Sequence, residues 1–106
     1  MRKKTPIMLD RERYLLLTMS AMQDIEKALG KKITNLGEDI GIEDLIVYVW
    51  AGLKHEDPNL TKKDVLKLLD EYANMKIINE AINEAFNDFF GITKDIDEEK
   101  KIVVEN

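Results

Sequence analysis

In four segments of the chain, the apolar residues recur with the spacing of an α-helix. The first helical block covers residues 19–29, and its apolar residues at that spacing are Met22, Ile25 and Leu29. Thr18 or Ser20 can cap its start, and Gly30 can adopt the left-handed conformation that ends many helices. The pattern therefore predicts a first helix over residues 19–29.

Two short apolar runs precede this helix and flank a charged connector. The runs are residues 7–9 and 14–17, and the connector is residues 10–13. Such a pair of runs predicts a small β-hairpin that packs on the domain by one face. The connector lacks the Asn-Gly or Asp-Gly pair of a tight turn, so a helix beginning near Tyr14 stays open as an alternative.

Residues 31–41 contain two glycines, Gly37 and Gly41, which predict a loop with one helical turn. The apolar residues of this loop are spaced to pack onto the domain: Ile33, Leu36 and Ile40. The segment is therefore interpreted as a connector within one domain.

The next block, residues 42–53, is apolar around nearly its whole circumference. One face has the helical spacing, and Val47, Tyr48, Trp50 and Ala51 extend the apolar surface to the other sides. A helix of this kind must be covered on most sides, either by its own domain or by another molecule. Asp57-Pro58 ends the helical pattern, because the residue before proline avoids the helical conformation.

Two further helices follow. Thr61 and Asp64 form a variant of the capping box and predict a helix over residues 61–72. A longer helix is predicted after Asn74 and ends at Gly91. Its apolar residues at helical spacing predict an inward stripe, made of Met75, Ile78, Ile82, Ala85, Phe86 and Phe89.

These elements together predict a mainly α protein, a small bundle of about four helices with a short N-terminal β-hairpin. Residues 1–91 are expected to form a single helical domain that includes the hairpin. Residues 92–106 contain five acids and three lysines without a sustained helical period. This composition predicts a flexible acidic C-terminal tail.

The charge of the chain argues against nucleic acid and membranes as partners. The 106 residues carry a net charge of −5, divided into +2 for residues 1–30 and −7 for residues 31–106. A protein that neutralises phosphates normally has the opposite sign over its folded part. No apolar run approaches the roughly 18 residues of a membrane span, and Pro6 and the charges at 10–13 interrupt any secretion signal. These features predict a cytoplasmic protein.

Chemically reactive side chains are scarce. The chain has no cysteine, one serine and one histidine, His55, which stands beside Glu56 and Asp57. Adjacent residues at a helix end point in divergent directions, so this trio predicts a structural turn and not a metal site. The five glycines form no phosphate-binding loop. The sequence therefore predicts a protein without enzymatic activity, metal or cofactor.

Some apolar residues lie off the inward stripes of their helices or at an edge of them, and with Phe89 at the end of the α-helical stripe they predict a surface that binds another protein. These candidate partner-binding residues are Tyr48, Trp50, Ile77, Phe89 and Phe90. Coverage of the same residues by neighbouring helices and the tail is an equally weighted alternative. A DNA-binding pair of helices, 42–53 and 61–72, is a weaker one, because lysines and acids are mixed on the second helix.

Two segments resemble the tail assembly chaperones of long-tailed bacteriophages and the related tail proteins of gene-transfer agents. Segment 50–61 reads Trp-Ala-Gly-Leu-Lys-His-Glu-Asp-Pro-Asn-Leu-Thr, and segment 25–30 reads Ile-Glu-Lys-Ala-Leu-Gly. The predicted hairpin also resembles the start of that family, so the likeness extends over residues 7–90. The chain departs from the family at Asp10-Arg11, where an Asp-Gly pair is common.

The resemblance implies a helper protein that binds the tape measure protein, keeps it soluble and gives way to tail tube protein during assembly. It also implies a homo-oligomer that acts in the cytoplasm of the host bacterium and is absent from the mature virion. Some relatives are made in two lengths by ribosomal frameshifting. A small helical adaptor or DNA-binding regulatory module stays open as the alternative function.

Overall fold

The structure, a computed structural model, describes residues 3–37 and 39–91. It confirms a mainly helical fold with an N-terminal hairpin, and the predicted tail at 92–106 lies outside the described residues. The elements in chain order are β1 (Thr5–Met8), β2 (Glu12–Leu15), α1 (Met19–Leu29), a 3₁₀ turn (Ile33–Asn35), α2 (Ile42–Leu53), α3 (Lys62–Tyr72) and α4 (Met75–Phe90).

Strands β1 and β2 form an antiparallel hairpin in which Ile7 lies opposite Arg13. The Asp10 carboxylate organises the connector, because it accepts a hydrogen bond from the Arg11 amide at 2.9 Å and pairs with the Arg13 guanidinium at 2.8 Å. A side chain thus provides the hydrogen bonds that hold this turn without an Asp-Gly pair. The predicted hairpin is confirmed, and the alternative of a helix beginning near Tyr14 is wrong.

Local capping residues set the helix ends where the sequence predicts them. The Thr18 hydroxyl accepts a hydrogen bond from the Ala21 amide at 3.1 Å, and Gly30 ends α1 with a φ of 68°. At the start of α3, the Thr61 hydroxyl accepts from the Asp64 amide at 3.1 Å, while the Asp64 carboxylate accepts from the Thr61 amide at 3.0 Å. The capping box predicted from these two residues is confirmed.

Helix α2 is the centre of the domain, and nine of its twelve residues are buried. It contacts the other three helices and β2. Gly52 allows the hairpin to approach closely, because a Cβ atom there would lie 3.0 Å from Leu15 Cδ2. The Gly52 carbonyl also accepts a hydrogen bond from the Leu16 amide at 2.9 Å. The apolar circumference of α2 is therefore covered mainly by its own domain.

Two residues expected to pack inward lie at the surface instead. Ile40 is 47% exposed and Met75 is 48% exposed, so their predicted burial is wrong. Ile40 precedes Gly41, the N-cap of α2, and Met75 is the first residue of α4, so both stand at the ends of segments. Other predicted inward residues are buried, namely Ile78, Ile82 and Ala85, while Ile33, Leu36, Phe86 and Phe89 are partly buried.

Candidate functional site

Tyr48 does not project from the subunit. The side chain is only 3% exposed, and its ring packs edge-on against Phe86 of α4 with centroids 5.1 Å apart. The expectation that Tyr48 offers an exposed surface to another chain is therefore wrong. Contacts from α4 and from the connector around Gly37 enclose the side of α2 that the helical pattern left uncovered.

Trp50 is half-buried and has partners within the domain. Its indole N–H donates a hydrogen bond to the Leu60 carbonyl at 3.1 Å. The ammonium groups of Lys54 and Lys62 lie 4.7 and 5.6 Å from the ring centroid. These contacts tie the end of α2 to the start of α3, so much of this ring serves the fold.

The other three candidates lie on α4. Ile77 and Phe89 are partly buried against the core, whereas Phe90 is 50% exposed. The Phe90 ring contacts Phe89 edge-on at 5.1 Å and stacks at 6.2 Å on Phe86, which in turn contacts Tyr48. Phe90 is therefore the most accessible of the five candidates and lies at one end of an aromatic series.

Phe90 borders a groove that sequence patterns did not predict. We call it the α2–α4 groove; it encloses about 320 Å³ between α2, α4 and the connector. Its walls are mostly apolar or aromatic, with amide side chains from α4 and no charged side chain among the lining residues. These are Leu36, Gly37, Ile40, Leu45, Tyr48, Asn79, Ile82, Asn83, Phe86, Asn87 and Phe90.

Asparagines form the polar side of this groove. Asn79, Asn83 and Asn87 recur every four residues on α4 and therefore lie in a row along one helix face. An amide side chain can donate and accept hydrogen bonds. An apolar floor beside a row of amides is the composition expected of a surface that binds a protein segment. The four-residue repeat was the sequence signal for this feature.

The Tyr48 hydroxyl lies at the inner side of the groove in an environment that disfavours its ionised form. Burial raises the pKa of the Tyr48 phenol, and the Asp44 carboxylate acts in the same direction. Lys31 and the Gly37 amide have the opposite effect on the pKa. Among the described residues, no hydrogen bond of standard geometry satisfies this buried hydroxyl.

Tyr48→Phe is therefore expected to raise the free energy of unfolding by about 1 kcal/mol or less, because a buried hydroxyl without a hydrogen bond of standard geometry costs stability. Urea denaturation at pH 7 measures the change. Tyr72→Phe is the control, because it removes the same hydroxyl group from a side chain that is 47% exposed. A loss of stability in Tyr48→Phe would show that the hydroxyl has a good partner in the folded protein.

A second groove lies on the other side of Leu45. We call it the α3 groove; it encloses about 230 Å³ between α3 and the first residues of α2 and α4. Its lining includes three large apolar side chains that are well exposed: Ile42 at 60%, Leu66 at 40% and Met75 at 48%. The exposed apolar surface thus lies beside the buried centre of α2.

His55 has a structural contact, as its position at a helix end predicted. Its Nε2 lies 2.7 Å from the Tyr14 carbonyl oxygen, which links the end of α2 to β2. Over residues 3–37 and 39–91, no group of three histidine or acidic side chains is placed to hold a metal ion. No helix in that part of the chain is both long and apolar enough to cross a membrane.

The site thus consists of two adjoining apolar grooves, with amides along one and a single carboxylate, Asp70, in the lining of the other. Compared with family models, with curated proteins and with solved structures, the chain matches none.

Proposed function

We propose that this chain is a tail assembly chaperone of a long-tailed phage or prophage, a non-enzymatic protein that binds the tape measure protein and keeps it soluble. The observation that carries the proposal is the α2–α4 groove, an apolar surface with an exposed aromatic ring at its end. A long amphipathic client helix that would otherwise aggregate can bury its apolar face in such a groove.

The segment that resembles the family also has a defined structural role. Residues 50–61 comprise the last turn of α2, the connection through Pro58 and the N-cap of α3. The indole of Trp50 bonds to Leu60 across this connection. The resemblance therefore falls on a part of the chain that positions α3 beside α2.

The proposed chaperone acts as a homo-oligomer in the cytoplasm of the host bacterium and is absent from the mature virion. Several copies bound along one tape measure protein would gain avidity, because each bound copy raises the local concentration of the next site. Tail tube protein would displace the copies as the tube grows around the tape measure. The net charge of −5 would help keep the assembly soluble.

Co-expression with the tape measure gene of the same phage or prophage is expected to bring most of that protein into the soluble fraction as a complex with this chain. Size-exclusion chromatography with light scattering measures the complex and the oligomeric state of the free chain. Phe90→Asp is expected to abolish most of the gain in solubility, whereas Tyr72→Asp, also at an exposed aromatic residue, keeps it.

A tape measure protein that stays insoluble with a folded, well-expressed partner contradicts the proposal. A strictly monomeric chain in the complex and in the free state contradicts its oligomeric part. Salt-dependent binding of duplex DNA, combined with no effect on the tape measure protein, would instead indicate a regulatory module.

A further inference from the structure

The two grooves are parts of one surface. Leu45 lines both of them, and α4 contributes lining residues from its first residue, Met75, to its last, Phe90. A helix of 16 residues is about 24 Å long. We call the combined surface the α4 track; it follows α4 over this length and matches about four turns of a second helix.

Exposed apolar side chains are concentrated along the track. Five of the eight large hydrophobic residues that are exposed in the described chain line it, namely Ile40, Ile42, Leu66, Met75 and Phe90. They occur at both ends, with Phe90 at one and Met75 at the other. Such concentration marks a binding surface better than single scattered residues do.

Acidic residues stand next to lining residues of the track more often than basic ones, which are Lys67 beside Leu66 and Lys76 beside Met75. The acidic neighbours include Asp39, Glu43 and Glu80, which are exposed and adjacent in the chain to the lining residues Ile40, Ile42 and Asn79. Helix α4 has three acids and one lysine, Lys76, and one of these acids, Glu84, pairs with Lys3 at 3.8 Å. Lys31 already bonds to Asp44 at 2.8 Å. A ligand that complements these charges carries basic residues beside its apolar face.

We infer that the α4 track docks a basic amphipathic helix of about four turns, with lysine or arginine on both sides of its apolar stripe. A helix suits the track because it satisfies its own backbone hydrogen bonds, and side chains line most of both grooves. This inference rests on the proposed function and identifies the kind of tape measure segment that the chaperone binds.

Two labelled synthetic peptides of about 18 residues test the inference. They share one leucine stripe and differ only in the flanking residues, which are lysine in one and glutamate in the other. Fluorescence anisotropy with the full chain is expected to show that the lysine peptide binds about tenfold more tightly at low salt, and that added salt reduces the difference. Equal affinities, or no binding of either peptide, would overturn the inference.

Variants at the two ends of the track test its continuity. Met75→Asp and Phe90→Asp are each expected to weaken the lysine peptide about tenfold or more. Met19→Asp, at a residue that is 75% exposed away from the track, is expected to leave the affinity unchanged. An effect at one end alone would mean that the grooves bind separately, which contradicts a single track.

A charge reversal tests the same surface without altering its apolar lining. Glu80→Lys is expected to weaken the lysine peptide about threefold and to strengthen the glutamate peptide. Glu71→Lys is the matched control, because it makes the same change on the exposed face of α3 and is expected to have little effect. Equal effects of the two reversals would show that the affinity for the peptides depends only on the net charge of the protein, which contradicts binding at the track.

Failure of the inference and failure of the proposed function give different results. If the tape measure protein becomes soluble but the track variants do not change this, the chaperone function stands and the track is the wrong surface. If the lysine peptide binds through the track but the tape measure protein stays insoluble, the track is a helix-binding site and the chaperone function is wrong.

Discussion

Leu53→Ala is expected to lower the free energy of unfolding by about 2–5 kcal/mol. Leu53 is the last residue of α2, and its side chain is fully buried in the core. Alanine removes buried methyl groups and leaves a cavity that the surrounding helices and hairpin fill only in part. Small domains are stable by about 5–15 kcal/mol, so this one change removes a large part of the total.

Urea denaturation followed by circular dichroism at 25 °C measures this loss. Leu66→Ala is the matched control, because Leu66 lies on α3 and is 40% exposed. Its truncation deletes the same atoms and is expected to cost about 1 kcal/mol or less, since its side chain is partly in water already. Similar losses for the two variants would contradict the central position of α2 in the core.

Asp44→Asn is expected to lower the free energy of unfolding by about 1–3 kcal/mol at pH 7. Asp44 is buried at the start of α2, where its carboxylate accepts a hydrogen bond from the Gly41 amide at 3.0 Å and from the Lys31 ammonium at 2.8 Å. The variant keeps the shape of the side chain but removes its charge, so the Lys31 ammonium loses its charged partner Asp44 and keeps its bond to the Asp39 carbonyl at 3.4 Å.

The pH dependence of this effect follows from the pKa of Asp44. The hydrogen bond from Lys31 holds that pKa below its ordinary value of 3.8, and the Gly41 amide acts in the same direction. A carboxyl whose pKa is lower in the folded state adds stability above the ordinary pKa, and this stability is lost as the pH falls through the folded-state pKa.

Urea denaturation at several pH values between about 7 and 3 therefore compares the free energy of unfolding of the wild-type protein with that of Asp44→Asn. The wild-type protein is expected to keep its advantage down to about pH 5 and to lose it as the pH falls below the ordinary pKa. Asp70→Asn is the control, because Asp70 is exposed to solvent whereas Asp44 is buried. A difference that stays constant to pH 3 would contradict the charged pairing of Asp44 and Lys31.

Local sequence features were sufficient to predict the helices of this protein. A cap residue and a terminal glycine act within one turn of the chain, so Thr18, Gly30 and Thr61 determine helix ends without help from distant residues. Pro58 likewise prevents the helical pattern from continuing past Asp57, so the end of α2 was also predictable from nearby residues. The hairpin was predictable too, although its turn depends on an Asp10 side chain and not on a glycine.

The sequence by itself thus determined the elements, the ends of the helices and the need to cover α2, while both strands begin two residues before the predicted apolar runs. Only the tertiary structure decided which residues do the covering, because burial depends on contacts between segments far apart in the chain. The packing of α4 and the connector on α2 buries Tyr48, while Ile40 and Met75 stay about half exposed at the borders of the two grooves. The α4 track exists for the same reason, since its two grooves form where α4 meets α2 and α3.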